Sequence, residues 1–262
     1  VHTLAGEATE GYEACRILLK QRYNASRAVI TSGTTEAINL VARSWGEFNL
    51  QSGDVVVLTE MEHHSDIVPW QMLAERKAIE LRYIPVIDGK LDMDAFDVAL
   101  DGAKLVCVVH TSNVLGIRNP VEDIISSAKN VGARVLLDAA QAVPHEMIDF
   151  RELGADFMAF SAHKMCGPTG IGALLVSDDA FDEMEPFMGG GDMIETVTLQ
   201  GSTYQKDEHK FEAGTPRIAE GVGWAAALEW ISQIDLASHH KRLISIASNV
   251  KNELVARGMT VY

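Results

Sequence analysis

KLVCVVHTSNVLGIRNPVEDIISSAKNVGARVLLDAA, residues 104–140, decides the fold class. KLVCVVH (104–110) reads as a buried strand, Pro120 opens the helix VEDIISSAKNVG, and RVLLDAA (134–140) reads as the next strand. A near-continuous Val/Leu run on each side of an amphipathic helix is the signature of a parallel sheet covered on both faces. The unit repeats outward in both directions. Toward the N-terminus lie a helix over Glu7 to Arg22, the strand AVITS (28–32), a helical pattern in TTEAINLVARSWGEF and the strand DVVVLTE (54–60). Next come a helix in IVPWQMLAERKA (67–78) with Pro69 in its first turn, the strand ELRYIPVI (80–87) and a short helix in MDAFDVAL. Toward the C-terminus lie DFMAFSA (156–162) and GALLVS (172–177) as strands, with helix-rich sequence from Ala219 onward. GGGDMIETVTLQGSTYQKDEHK (189–210) shows little periodicity and is expected to be a long loop. KNELVARGMTVY is expected to be a helix followed by the start of a strand.

The chain has 262 residues, of which 47% are hydrophobic, enough for one large α/β domain with a sizeable core. Its 22 basic and 37 acidic residues leave a formal charge of −15, with no Lys/Arg-rich run to offset it. Such a surface repels nucleic acid and anionic membranes, so neither is expected as a partner. Cys15, Cys107 and Cys166 form no C-x-x-C pair and no even framework, which points to a reducing compartment. With no membrane-length apolar run and no signal-peptide layout at the start, a cytoplasmic protein is the expectation. Both ends read as cut from a longer chain.

In open α/β sheets ligands sit at the carboxyl ends of strands, against helix N-termini. Polar residues cluster at those places. Gly33-Thr34-Thr35 follows the first strand, His63-His64 the second, and His110 and Asn113 the fourth. Asp138 and Gln141 follow the fifth, and Ser161, His163 and Lys164 the sixth. Each has a plain structural alternative. SGTTEAIN offers amides and hydroxyls to an anion, yet also reads as a capping box that starts a helix. His63 and His64 diverge as neighbours and lack other ligands at metal spacing, so a ring stacked on a ligand or packed in the core is the reading, with no metal. Asp138 serves equally as a helix cap. Cys107 is core, and Cys15 carries no role. Lys164, between an apolar strand and the turn MCGPTG, has the place of a Schiff-base lysine, and Cys166 two residues on raises the question of a nucleophile. Together a phosphate clasp, an acid for a pyridinium nitrogen, an amide for a phenol oxygen, a ring to stack and a lysine for an aldehyde describe pyridoxal 5'-phosphate (PLP).

GTTEAINLVA, MEHHSDIVPWQ, HTSNVLG, LDAAQAVPH, FSAHKMCGPTGIG and KFEAGTP, in this order, resemble the class V aminotransferase superfamily, closest to its SufS-like cysteine desulfurase and selenocysteine lyase branch. The resemblance implies a PLP-dependent transferase of fold type I. Residues 1–232 would be its large domain, incomplete at the N-terminus, and 233–262 the start of the connection into a small C-terminal domain. Lys164 would hold the cofactor's aldehyde and later move the substrate's Cα proton. Asp138 would pair with the pyridine nitrogen, Gln141 would bond the phenolic oxygen, and His63 would stack on the ring and serve in acid–base steps. Thr34, Thr35, Ser161 and His163 would hold the phosphate, with Asn113 beside cofactor and substrate. Thr215 would reach the phosphate of the other subunit in a homodimer.

The implied reaction removes sulfur from L-cysteine, or L-selenocysteine in the lyase branch. It leaves L-alanine and an enzyme persulfide that passes to a sulfur-acceptor protein, as in iron–sulfur cluster assembly. The family's sulfur-accepting cysteine and substrate-carboxylate arginine belong to a C-terminal segment that nothing up to Tyr262 matches, so Cys166 is not that nucleophile. Cys166 stands where relatives often carry Tyr, and Lys210 where they often carry Arg. A transaminase, a kynureninase-like hydrolase and a non-catalytic PLP-binding fragment are the alternatives.

Overall fold

The computed structural model describes residues 2–261. Seven strands form one sheet: β1 (Arg27–Thr31), β2 (Val55–Thr59), β3 (Glu80–Ile84), β4 (Ala103–Val109), β5 (Arg134–Asp138), β6 (Phe157–Ser161) and β7 (Gly172–Val176). Their order across the sheet is β1-β7-β6-β5-β4-β2-β3. The neighbours from β6 through β3 pair in parallel, whereas β7 runs antiparallel to both β6 and β1. The sheet is therefore mostly parallel.

The helices are α1 (Thr3–Tyr23), α2 (Thr34–Leu40), α3 (Val68–Lys77), α4 (Met93–Ala99), α5 (Val121–Asn130), α6 (Phe150–Leu153), α7 (Asp178–Asp182), α8 (Ile218–Ile231) and α9 (Leu236–Ala256). α2 continues through a wider π-type turn, Val41–Gly46, into a last helical turn, Glu47–Asn49. Among the described residues no helix is long and apolar enough to cross a membrane.

Strand periodicity divides the core. Val106, Val108, Val135 and Leu137 face one side with Leu19 of α1, Ile124 of α5 and Trp224 of α8. Leu105, Cys107 and Leu136 face the other with Ile38 of α2 and Trp70 and Leu73 of α3. Successive side chains point to opposite faces, so an apolar strand feeds both layers at once. A bidentate pair ties α1 to the loop before α8: Arg16 donates through Nη1 and Nη2 to Glu212 Oε1 and Oε2 at 2.6 and 2.9 Å. Glu212 also accepts from the Ile30 amide at 2.7 Å and the Tyr12 hydroxyl at 3.2 Å.

Three expectations need correction. Residues 189–210 are not structureless: β8 (Ile194–Thr198) and β9 (Gly201–Tyr204) form an antiparallel hairpin. Both of its faces meet solvent almost throughout, so it has no apolar alternation to betray it. ELRYIPVI is not one strand. Pro85 has no N–H for a ladder, and Val86–Ile87 turn away to pair with Lys90–Leu91. The strand expected at the chain's end does not form over Met259–Val261, and Tyr262 lies outside the described residues. α9 buries none of its residues despite its apolar positions.

Candidate active site

The carboxyl ends of five strands meet at one cleft of about 240 Å³. It is lined by Thr34 and Thr35 after β1, His63 and Ser65 after β2, and Val109 and Asn113 at and after β4. Asp138, Ala140 and Gln141 follow from β5, and Ser161, His163 and Lys164 from β6. Nine of the ten residues to which the resemblance gives a cofactor role are in that group. The tenth, Thr215, is exposed and does not line it. The volume is below the roughly 300–1,000 Å³ of drug-sized sites, so the fitting ligand is small.

Close packing at the strand ends makes the clasp. Gly172 stands between Thr31 and Ser161 in the ladder, and a Cβ on it would lie 2.5 Å from Gly33 Cα and 2.6 Å from Phe160 O. Only glycine lets α2 start this close to the sheet. Gly33 itself has φ +152°, and a side chain there would meet Ser161 Oγ at 3.1 Å. In return Ser161 Oγ accepts the Thr34 amide at 2.8 Å and lies 2.7 Å from Thr34 Oγ1. The next amides of α2 have no carbonyl within the helix to bond, which makes this end favourable for an anion. The capping alternative is also realised in part, because Glu36 accepts from the Ser32 amide, although no side chain of the preceding residue caps the helix.

Asp138 is buried at the end of β5, where its Oδ1 accepts the Ala140 amide at 2.9 Å. Its Oδ2 has no protein partner among the described residues. Burial raises its pKa, opposed by the Ala140 amide and by the charges of Lys164 and His63. His63 Nδ1 lies 2.7 Å from Ser65 Oγ and accepts the Ser65 amide at 3.2 Å, which fixes the ring. The 3-10 turn Ala162–Met165 buries its two ends and leaves Lys164 half-buried and His163 exposed. Cys166 closes that turn in the left-handed conformation (φ 66°), exposed and outside the cleft.

Some strand-end residues go elsewhere. His110 is buried in a separate cleft with Arg118 and Glu146, and burial lowers its pKa. The sequence reading missed Ser65, whose hydroxyl holds His63. It also missed two acids behind Asp138, Glu62 and Asp66, both buried. Burial first, then a neighbouring carboxylate, pushes both well above the usual carboxylate range. Two of the larger clefts, about 880 and 970 Å³, lie away from this centre. The first sits at the opposite ends of the strands, around Lys104, Arg134 and Asp156, and the second lies between α1, α8 and α9. Size alone does not locate the chemistry. Of the clefts described, the small one gathers a buried acid, an amine, an imidazole and a helix N-terminus among the described residues.

An α/β sheet that gathers such a constellation at its strand ends fits one family model: the chain belongs to the aminotransferase class-V family, which it matches over residues 1–261. It is 49% identical over 242 residues to a cysteine desulfurase of Enterobacter sp. (strain 638), covering 90% of this chain and 60% of that protein. A cysteine desulfurase from Thermococcus onnurineus NA1 superposes with a TM-score of 0.96 at 38% identity, over 100% of this chain and 66% of that one. A cysteine desulfurase from Escherichia coli superposes with a TM-score of 0.91 at 35% identity, over 96% and 64%. The chain thus spans about 60% of the length of the curated relatives it matches.

Proposed function

We propose that the cleft holds PLP and that the chain carries the cofactor-binding part of a cysteine desulfurase acting on L-cysteine. The observation that carries this is the meeting of Asp138, Lys164, His63 and the Thr34–Ser161 clasp around one small cleft, in a chain similar to cysteine desulfurases. The donor set fits the cofactor, since Asp138 keeps an oxygen free for a pyridinium N–H and the start of α2 suits a phosphate.

When bound, PLP supplies a sink for the electron pair left at the substrate's Cα. The protein's part is positional and protonic. Lys164 is the residue whose amine would hold the cofactor's aldehyde and whose freed amine would serve as base for the Cα proton. Asp138 would hold the ring nitrogen protonated, Gln141 would bond the phenolic oxygen, and His63 would stack on the ring. Thr34, Thr35, Ser161 and His163 bind phosphate, Asn113 borders the substrate, and Thr215 serves the neighbouring protomer of a homodimer.

The thiolate that attacks the substrate's sulfur, giving a persulfide and alanine, is none of Cys15, Cys107 and Cys166. Two are buried and the third is exposed and does not line the cleft. We assign it to sequence beyond these residues, with 233–262 leading into that part. Delivery of sulfur to an acceptor protein in the cytoplasm, as iron–sulfur assembly requires, fits three unpaired cysteines.

The test is borohydride reduction with PLP followed by peptide mapping, with alanine measured after cysteine addition to the full-length protein. The expected result is a pyridoxyl group on Lys164 and alanine formed without a keto acid. A label on Lys77 or Lys104 refutes the assignment. A Lys164 label with strict need for a keto acid makes the protein a transaminase instead.

A further inference from the structure

Behind Asp138 two carboxyl groups meet with no cation between them. Glu62 Oε1 accepts the Thr59 hydroxyl at 2.6 Å and the Val109 amide at 3.0 Å. Asp66 Oδ1 accepts the Trp70 indole N–H at 3.0 Å. The other oxygen of each, Glu62 Oε2 and Asp66 Oδ2, is buried and has no partner in the structure. The two side chains lie within hydrogen-bonding reach of each other. Glu62 is 6% exposed and Asp66 0%, so bulk water cannot satisfy either oxygen. Two ionised carboxylates are both acceptors and cannot bond one another. A single proton turns the two orphans into one O–H···O⁻ hydrogen bond, short and strong because one partner is charged.

We propose that Glu62 and Asp66 share one proton, so that the pair carries a single charge and acts as a positioning unit behind the ring-facing acid. Glu62 receives the Thr59 hydroxyl and the Val109 amide, and Asp66 receives the Trp70 indole and the Cys107 thiol, so the two acids are matched and the proton lies between them. The titratable neighbours support a single charge in the pair. Asp138 at the end of β5 adds a third carboxyl against both, and the Cys107 thiol of β4 lies beside Asp66. The positive groups, Lys164 and His63, face Asp138. With one proton in the pair, one buried charge rather than two stands behind Asp138, which then ionises more readily toward a pyridinium. That last consequence rests on the PLP reading; the shared proton does not.

The test separates the two. Asp66→Asn replaces one acid and the shared proton by an amide that donates to Glu62. In the wild type the folded pair holds a proton that the unfolded chain gives up above the ordinary Asp value of 3.8, so wild-type stability falls as pH rises toward the raised folded value. The variant has no such proton. The ratio of its folding constant to the wild type's should therefore climb by up to roughly tenfold per unit as pH rises above the ordinary carboxylate range, until the folded pair gives up its proton. Urea unfolding of the cofactor-free protein reads this, and a protonated-carboxyl C=O stretch present in the wild type should vanish from the variant's infrared spectrum. Parallel stability curves, a variant that cannot fold, or no protonated-carboxyl band would each overturn the proposal, as would two ionised acids bridged by a buried water. With PLP added, the pH midpoint of its visible absorption should be the same in Asp66→Asn as in the wild type, because the charge beside Asp138 is unchanged. A moved midpoint defeats the consequence for Asp138, and absence of any PLP spectrum in the wild type defeats the cofactor reading while leaving the stability test intact.

Discussion

Glu212→Ala should be among the costliest single changes outside the cleft. The Glu212 and Arg16 side chains are only 7% and 5% exposed and bond in a two-pronged fork. Glu212 also serves the Ile30 amide of β1 and the Tyr12 hydroxyl of α1. Truncation leaves Arg16 with Glu13 and the Ala28 carbonyl, and it strips the Ile30 amide of its acceptor. Removing one partner of a buried pair costs about 3–5 kcal/mol. Because Glu13 remains, the lower end applies, about 3 kcal/mol or roughly a hundredfold in the folding constant.

Equilibrium urea unfolding at constant slope measures it. The chemistry also predicts non-additivity: pairing Arg16→Met with Glu212→Leu should recover most of the loss, since an apolar replacement of the whole pair is often neutral. A single-variant loss below about 1 kcal/mol, or a double variant as weak as the sum of the singles, would refute the reasoning. The same anchor fixes the loop that carries Thr215, three residues on, so a loosened loop should also weaken any contribution of Thr215 across a dimer.

Two further outcomes are expected. Asp138→Asn should keep PLP, held by the phosphate clasp, but slow exchange of the substrate's Cα proton by roughly ten- to a hundredfold, the worth of a charge-assisted hydrogen bond of about 1.5–3 kcal/mol; unchanged exchange would make Asp138 a structural cap. His209 should titrate at about 9 rather than 6.5, because it bonds Glu13, whose own pKa falls to about 2 chiefly through that bond. The His209 share of stability is complete below 6.5 and lost as pH rises through about 9, whereas the Glu13 share is present above 4.5 and lost as pH falls through about 2. Both side chains are about a third exposed, so the effect on stability is small, and a proton-NMR titration of the imidazole, with Glu13→Gln returning it toward 6.5, is the sensitive readout.

The layered α/β fold was legible because burial on both faces writes itself as apolar runs. LVCVV and RVLL feed Val106 and Val135 to one layer and Leu105 and Leu136 to the other, and nothing but a covered sheet needs both. Strand direction leaves no such mark. GALLV is as apolar as its neighbours, yet β7 runs against β6 and β1, because a strand buried on both sides has the same composition in either direction. The β8–β9 hairpin was invisible for the converse reason: exposed on both faces, it carries turn and ladder polarity without periodicity.

The cleft was legible through position, since a polar residue just past an apolar strand lies at the sheet's carboxyl edge whatever its role. That logic gathered Thr34, His63, Asp138 and Lys164, and it also proposed His110, which the loop after β4 turns into a different cleft. It was silent on Glu62 and Asp66. Within MEHHSD they have the composition of a solvated turn, and what buries them comes from elsewhere in the chain: the Trp70 indole of α3, the Val109 amide of β4 and the Thr59 hydroxyl that ends β2. Burial of a polar turn is a tertiary event with no sequence period. The residues it encloses must therefore satisfy one another, and two acids can do so only through a proton.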